Sequence, residues 1–253
     1  MEALRRHFTV LPLAELAERA RRKDLPRNGV AVTFDDGYRD NYTNAFPVLR
    51  DMGLPATIFL TTGALDENAL LWHDRVFDAF HRTRKADARA SLETVLARLR
   101  RSSPEERDLG IESLLEELGI EPGVPGGWEK LRWQDVREMA SQGISFGAHT
   151  LDHPILTFVG EEEARRQVRE SKKRIEAELG SPITMFAYPN GSASDFDRST
   201  QRIVEEEGLS LAVTTVSGAN DESTNPYSLR RTGMWGDDPQ LSTLRLAVAR
   251  LSA

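Results

Sequence analysis

Apolar and β-branched residues collect in short, nearly unbroken runs along this chain. They read VAVTF at 30–34, ATIFLT at 56–61, ISFGA at 144–148, TMFA at 184–187 and LSLAVT at 209–214, with a weaker run at 228–231. Runs with little polar alternation suit parallel strands covered on both faces. Helical patterns lie between them. Residues 11–22 and 44–52 flank the first run. Residues 161–179 carry Ala164, Val168, Ile175 and Leu179 at helical spacing and stop at Gly180, and residues 197–207 run from an Asp cap to Gly208. The alternation predicts an α/β fold built on a parallel sheet or barrel.

The rhythm breaks between 62 and 144. Two helical stretches, 91–100 and 105–118, precede a turn-rich EPGVPGG at 121–127. The segment at about 66–142 reads as a helical insertion with too few large apolar residues for a core of its own. The whole chain, 1–253, then reads as one domain, a length common for α/β barrels.

Composition narrows the chemistry. The net charge is −7, and no Lys/Arg cluster alternates with aromatics, so no nucleic-acid partner is expected. The chain has no cysteine, which excludes disulfides, thiol catalysis and thiolate metal sites. No window reaches the length of a membrane span. The start, MEALRRHFTVLPL, has no signal-peptide pattern. A cytoplasmic location is expected on that basis, with secretion left open should the start be incomplete. Oligomeric state is left open as well.

In parallel α/β folds, sites form at the carboxyl ends of the strands. Asp35, Asp36 and Gly37 follow the first run. His149 and His153 follow the third, in HTLDHP, and Tyr188, Pro189, Asn190 and Gly191 follow the fourth. Taken alone, DDG is a strand-to-turn signal with an Asp capping the next helix. Taken alone, the two histidines are either loop caps or imidazole ligands for Zn²⁺, Co²⁺, Ni²⁺ or Fe²⁺, with a carboxylate as third ligand. Thr150 after His149 rules out the H-E-x-x-H pattern. Together the motifs favour metal-assisted hydrolysis. A cation relieves the repulsion of adjacent carboxylates, so one can ligate while the other takes a proton from water.

TFDDGYRDNY, HTLDHP and FAYPNG, in this order, resemble the polysaccharide deacetylase (NodB-homology) family, carbohydrate esterase family four, over roughly residues 30–232. The resemblance implies a distorted (β/α) barrel of about seven parallel strands. It implies a metal-dependent hydrolase that removes N-acetyl groups from an acetylated polysaccharide or oligosaccharide. By the same resemblance Asp35 is the general base. Asp36, His149 and His153 hold a divalent ion, zinc first, with cobalt, nickel and iron open. The backbone N–H of Asn190 faces the oxyanion, on a loop stiffened by Pro189. Tyr38, Trp72, Tyr188, Pro189 and Trp235 are expected around the substrate, although Trp72 and Trp235 suit core packing equally well.

Two departures stand out. The family's R-P-P-Y-G arginine, which orients the catalytic Asp, is absent here, and no histidine follows His153 to serve as a late general acid. Arg230 or Arg231 is available to replace the arginine. Other readings stay open: a non-catalytic metal- and sugar-binding protein, a hydrolase of another small amide, or a two-histidine, one-carboxylate iron oxygenase. The identity of the glycan is open too.

Overall fold

The computed structural model describes residues 1–66, 69–83, 88–121 and 128–233. Seven short strands occur among them, all paired in parallel. α1 (Glu2–His7) leads into β1 (Thr9–Val10), which pairs with β2 (Gly29–Val30) in a small sheet. β3 (Thr33–Phe34), β4 (Thr57–Leu60), β5 (Ser145–Ala148), β6 (Met185–Ala187) and β7 (Leu211–Val213) form a second sheet in chain order. The architecture is a parallel half-barrel clad in helices. The barrel sheet has five strands where about seven were expected, and the other two strands described stand in a sheet of their own.

The first apolar run shows why. Expected as one strand over 30–34, it splits at residues 31–32. Leu11 N–H bonds to the Val30 carbonyl, whereas Thr57 N–H bonds to Val32. The chain therefore leaves one partner strand and takes another. The weak run at 228–231 yields only a single bridge between Val213 and Leu229.

Both faces of the five-stranded sheet are buried, as unbroken apolar runs require. Successive side chains alternate between two cores. Ile58, Leu60, Phe186 and Ala212 join the larger core with Phe46, Val136, Val168 and Ile203. Those four come from the covering helices α3 (Phe46–Met52), α7 (Trp133–Ser141), α8 (Glu161–Leu179) and α9 (Arg198–Glu206). Phe59, Met185, Ala187, Leu211 and Val213 face the other way, against Leu229 and Leu13 of α2 (Leu13–Arg22). Each such fully buried large apolar side chain contributes about 1.5–3 kcal/mol. α8 has the bounds its pattern predicts and ends at Gly180, and α9 is capped by the Asp197 carboxylate accepting from Thr200 N–H.

The insertion differs from expectation. α4 (Trp72–Arg82), α5 (Ala88–Leu99) and α6 (Pro104–Leu118) enclose a cluster of their own. Trp72, Val76, Phe80, Leu99, Ile111 and Leu114 belong to it. The residues are few, but three helices packed edge to edge suffice to shield them. α7, inside the expected insertion boundary, packs on the main core instead. The turn-rich 122–127 lies outside the described residues, as does Trp235. No described helix is long and apolar enough to cross a membrane.

Candidate active site

The parallel register sets the carboxyl ends of β3 to β7 side by side: Phe34 pairs with Ile58, Leu60 with Ala148, Ala148 with Phe186, and Ala187 with Val213. DDG, HTLDHP and YPNG therefore leave the sheet along one edge. Six non-glycine residues among those described have positive φ, and four of them lie in these three loops: Asp36, Thr150, His153 and Asn190. Such conformations cost free energy and persist where the surroundings over-determine them. Gly37 follows Asp36 with φ +68°, a value that Gly alone adopts without penalty.

Packing between loops holds these conformations. Leu131 N–H bonds to the Gly37 carbonyl at 2.8 Å, and Arg39 N–H bonds to Glu129. The Gln167 side chain of α8 accepts from Leu151 and Asp152 N–H, at 3.0 and 2.9 Å. Gly63 N–H donates to the Leu151 carbonyl at 2.7 Å, and a Cβ on residue 63 would meet that oxygen at 2.6 Å. Only glycine permits so close an approach.

Asp36, His149 and His153 converge. Their donor atoms lie within 4.8 Å of one another. Both histidine Nε2 atoms are 3.3 Å from Asp36 Oδ1. That oxygen is buried and has no aligned hydrogen bond. His149 Nδ1 lies 2.7 Å from the Ala187 carbonyl, which only accepts, so Nδ1 carries the proton and Nε2 turns its lone pair inward. A tetrahedral shell with bonds of about 2.0–2.1 Å spaces neighbouring ligand atoms about 3.3 Å apart. The three side chains thus fit a divalent metal ion. Burial acts to raise the Asp36 carboxyl, but the facing imidazoles hold it well below the usual carboxylate range. Burial also pushes the His153 imidazole down.

Asp35 sits next to this cluster and does not join it. Arg231 grips it with both arms, Nη1 to Oδ1 at 2.8 Å and Nη2 to Oδ2 at 2.7 Å. The guanidinium is itself fixed by the Thr214 carbonyl at 2.7 Å and by Thr33 Oγ1 at 3.2 Å. Burial would raise the Asp35 carboxyl; Arg231 more than offsets this and lowers it. Of the two arginines available, Arg231 is the one that holds Asp35. Arg230 lies against Gly218 and uses its backbone on Asn220.

At the third loop, the Asn190 carbonyl accepts from Thr215 Oγ1 at 2.6 Å, while its Nδ2 is buried without a partner. Three of the residues expected around the substrate, Tyr188, Pro189 and Trp72, are buried. Tyr188 is fully buried, stacked on Phe196, with its hydroxyl donating to the Tyr227 carbonyl at 3.0 Å. Pro189 is buried beside it. Trp72 is 7% exposed in the insertion core, with the Arg107 guanidinium 4.7 Å above its ring. An aromatic at the end of a strand or the start of a helix is as easily core as cleft, and here packing wins. The Tyr38 hydroxyl is spent on Asp74, and Lys130 Nζ lies 3.4 Å from its ring centroid.

A buried polar group beneath the site was not foreseen. Asp74 and Lys130 form an ion pair at 2.9 Å with both side chains essentially inaccessible. Asp74 also accepts from Leu71 N–H and Tyr38. His73 Nε2 is 3.3 Å from the Tyr38 hydroxyl and 3.8 Å from Asp36 Oδ2. Burial and the neighbouring His153 lower the His73 imidazole to about 4. Nothing in the local sequence pattern singles out Asp74 or Lys130.

The sequence and the fold have known counterparts. The family profile for polysaccharide deacetylases matches residues 22–212. The chain belongs to the polysaccharide deacetylase family, a family of hydrolases. Among individual proteins, YxkH of Bacillus subtilis (strain 168), whose name places it with polysaccharide deacetylases, is 25% identical over 202 residues. The match covers 80% of this chain and 50% of YxkH, so the chain spans about half the length of that relative. Among solved structures, IcaB from Ammonifex degensii aligns with TM-score 0.67 at 21% identity, over 98% of this chain and 85% of that one. The Streptococcus pyogenes deacetylase PplD, solved in complex with acetate, aligns with TM-score 0.65 at 21% identity, over 97% and 81%. At this identity both show the shared fold.

Proposed function

We propose that the protein is a metal-dependent N-deacetylase of an acetylated oligosaccharide or polysaccharide. The observation that carries this reading is the pairing of two carboxylates with separate surroundings. Asp36 faces two imidazoles, and Asp35 faces a guanidinium.

Asp36, His149 and His153 are the residues that would hold the ion, zinc first and cobalt, nickel or iron as alternatives. When bound, such an ion supplies Lewis acidity, polarising the acetyl carbonyl and lowering the pKa of water from about 15.7 toward about 7. The rest is done by the chain's own groups. Asp35 is ionised at neutral pH and accepts a proton from the attacking water. Arg231 holds that carboxylate in one orientation, with two parallel charge-assisted hydrogen bonds. The Asn190 backbone N–H donates to the oxyanion that develops on the acetyl oxygen. As the C–N bond breaks, Asp35 returns its proton to the departing nitrogen. The second proton of the water stays on the nascent acetic acid and then passes to the amine, so acetate and an ammonium product result without a late histidine.

Acetate release from a panel of acetylated glycans, with Zn²⁺, Co²⁺ or chelator, tests the reading. Metal-dependent release that chelator abolishes is the expected result. Glycan binding without release under every metal would contradict it and favour the non-catalytic alternative. Release in anaerobic buffer would dispose of the oxygenase.

A further inference from the structure

Aromatic rings lead outward from the candidate metal centre along α4. His73 and His153 meet with ring centroids 4.7 Å apart. One helical turn on, Phe77 touches His73 edge to face, at 6.4 Å and 81°. Trp128 lies nearly parallel to Phe77, at 6.2 Å and 12°, and edges onto Tyr38 at 6.4 Å. Phe77 is 38% exposed and Trp128 is partly exposed.

This exposure needs a reason. Trp72, Val76, Ala79 and Phe80 of the same helix turn into the insertion core. Phe77 points elsewhere, and burying its ring would have been favourable at about 25 cal/mol per Å². Instead two rings are braced against each other and left open to solvent beside the catalytic edge. Aromatic faces offer a flat apolar surface at low conformational cost. The C–H face of a pyranose ring is a neutral, flat counterpart. The step from His73 to Phe77 is four residues of helix, a rise of about 6 Å, on the scale of one sugar unit.

We propose that Phe77 and Trp128 form a stacking platform for the sugar ring next to the one being deacetylated, so that the enzyme prefers an oligomer over a single sugar. This rests on the deacetylase reading above and names the part of the substrate that reading leaves open. The occupant is a neutral ring of the same glycan chain, placed there by continuity of the platform with the site through His73.

The test is calorimetric titration of the zinc-loaded, full-length Asp35→Asn protein with N-acetylglucosamine and with its β-1,4-linked pentamer. Phe77→Ala in this background is expected to weaken pentamer binding about three- to tenfold and to shrink the advantage of pentamer over monomer. Phe77→Trp restores it. Leu109→Ala, which removes another exposed apolar side chain of the insertion, matches the parent. The proposal is overturned by any of four results: no binding of the pentamer by the parent, unchanged pentamer affinity in Phe77→Ala, equal loss for monomer and pentamer, or a dimer in sedimentation that Phe77→Ala dissociates. Acetate release by the Asp35-intact protein separates the two claims. Platform-dependent binding without release sinks only the deacetylase, and release with unchanged Phe77→Ala affinity sinks only the platform.

Discussion

The loops at the sheet edge and the helical insertion solve different problems. The loops hold charged groups in uncommon backbone conformations, with Asp36, Thr150, His153 and Asn190 all at positive φ. The insertion has regular helices and a small core of its own. Yet the two regions are joined by a buried clasp. Tyr38, two residues from Asp36, donates to Asp74 of α4, and Asp74 pairs with Lys130. The residues on either side of Lys130 bond back to the DDG turn, through Glu129 to Arg39 and through Leu131 to Gly37. The edge loops carry the chemistry, and the insertion braces one of them. The comparison makes a sharp claim: damage at the edge should show first in metal binding or rate, and damage in the insertion should show first in stability.

Asp36→Ala should have the largest effect. It removes the carboxylate that, among the described residues, groups with both His149 and His153, and metal affinity should fall by more than about a hundredfold, measured by competition with a chelator. Retained affinity would mean that Asp36 is not a ligand. Lys130→Met comes next. It strands Asp74 in a site with no solvent access and should cost about 3–5 kcal/mol in urea unfolding. Metal bound per chain should stay near that of the parent in the folded fraction, and a parallel loss of metal would erase the proposed division of labour.

Arg231→Met sits between the regions in kind. It frees the Asp35 carboxylate to wander, and kcat/KM should fall up to about a hundredfold. The sign of the pH effect is definite. Arg231 lowers the Asp35 pKa, so its removal raises it, and the acid limb of the kcat/KM profile should move to higher pH. An unmoved limb would detach Asp35 from that limb. The smallest expected effect is Ile111→Val in the insertion core, about 0.5–1.5 kcal/mol of stability, read by the same urea titration.

Much of the edge was legible in the sequence because its chemistry is local. A short apolar run followed by DDG, and another followed by two histidines four apart, are enough to put the polar groups at the strand ends. The partner of Asp35 was narrowed to two arginines by the absence of one in FAYPNG; choosing Arg231 required the sheet, since the pair spans 196 residues. The clasp was not legible. Nothing in the local pattern around Asp74 or Lys130 distinguishes a buried ion pair from two solvated charges. The aromatics misled for a related reason. Trp72 and Tyr188 have the neighbours of cleft residues, but helix phase turns Trp72 inward and strand alternation buries Tyr188, while Phe77, an ordinary helical position in sequence, is the ring left open. The split of the first strand was equally hidden, because an unbroken run of apolar and β-branched residues says nothing about a change of partner.

The most direct test of the central claim is acetate release by metal-saturated Asp35→Asn on a glycan that the parent deacetylates. The change keeps size and removes the base. Activity should fall about 10²–10⁴-fold while the metal bound per chain is unchanged. Full activity in this variant would contradict the assignment of separate tasks to Asp35 and Asp36.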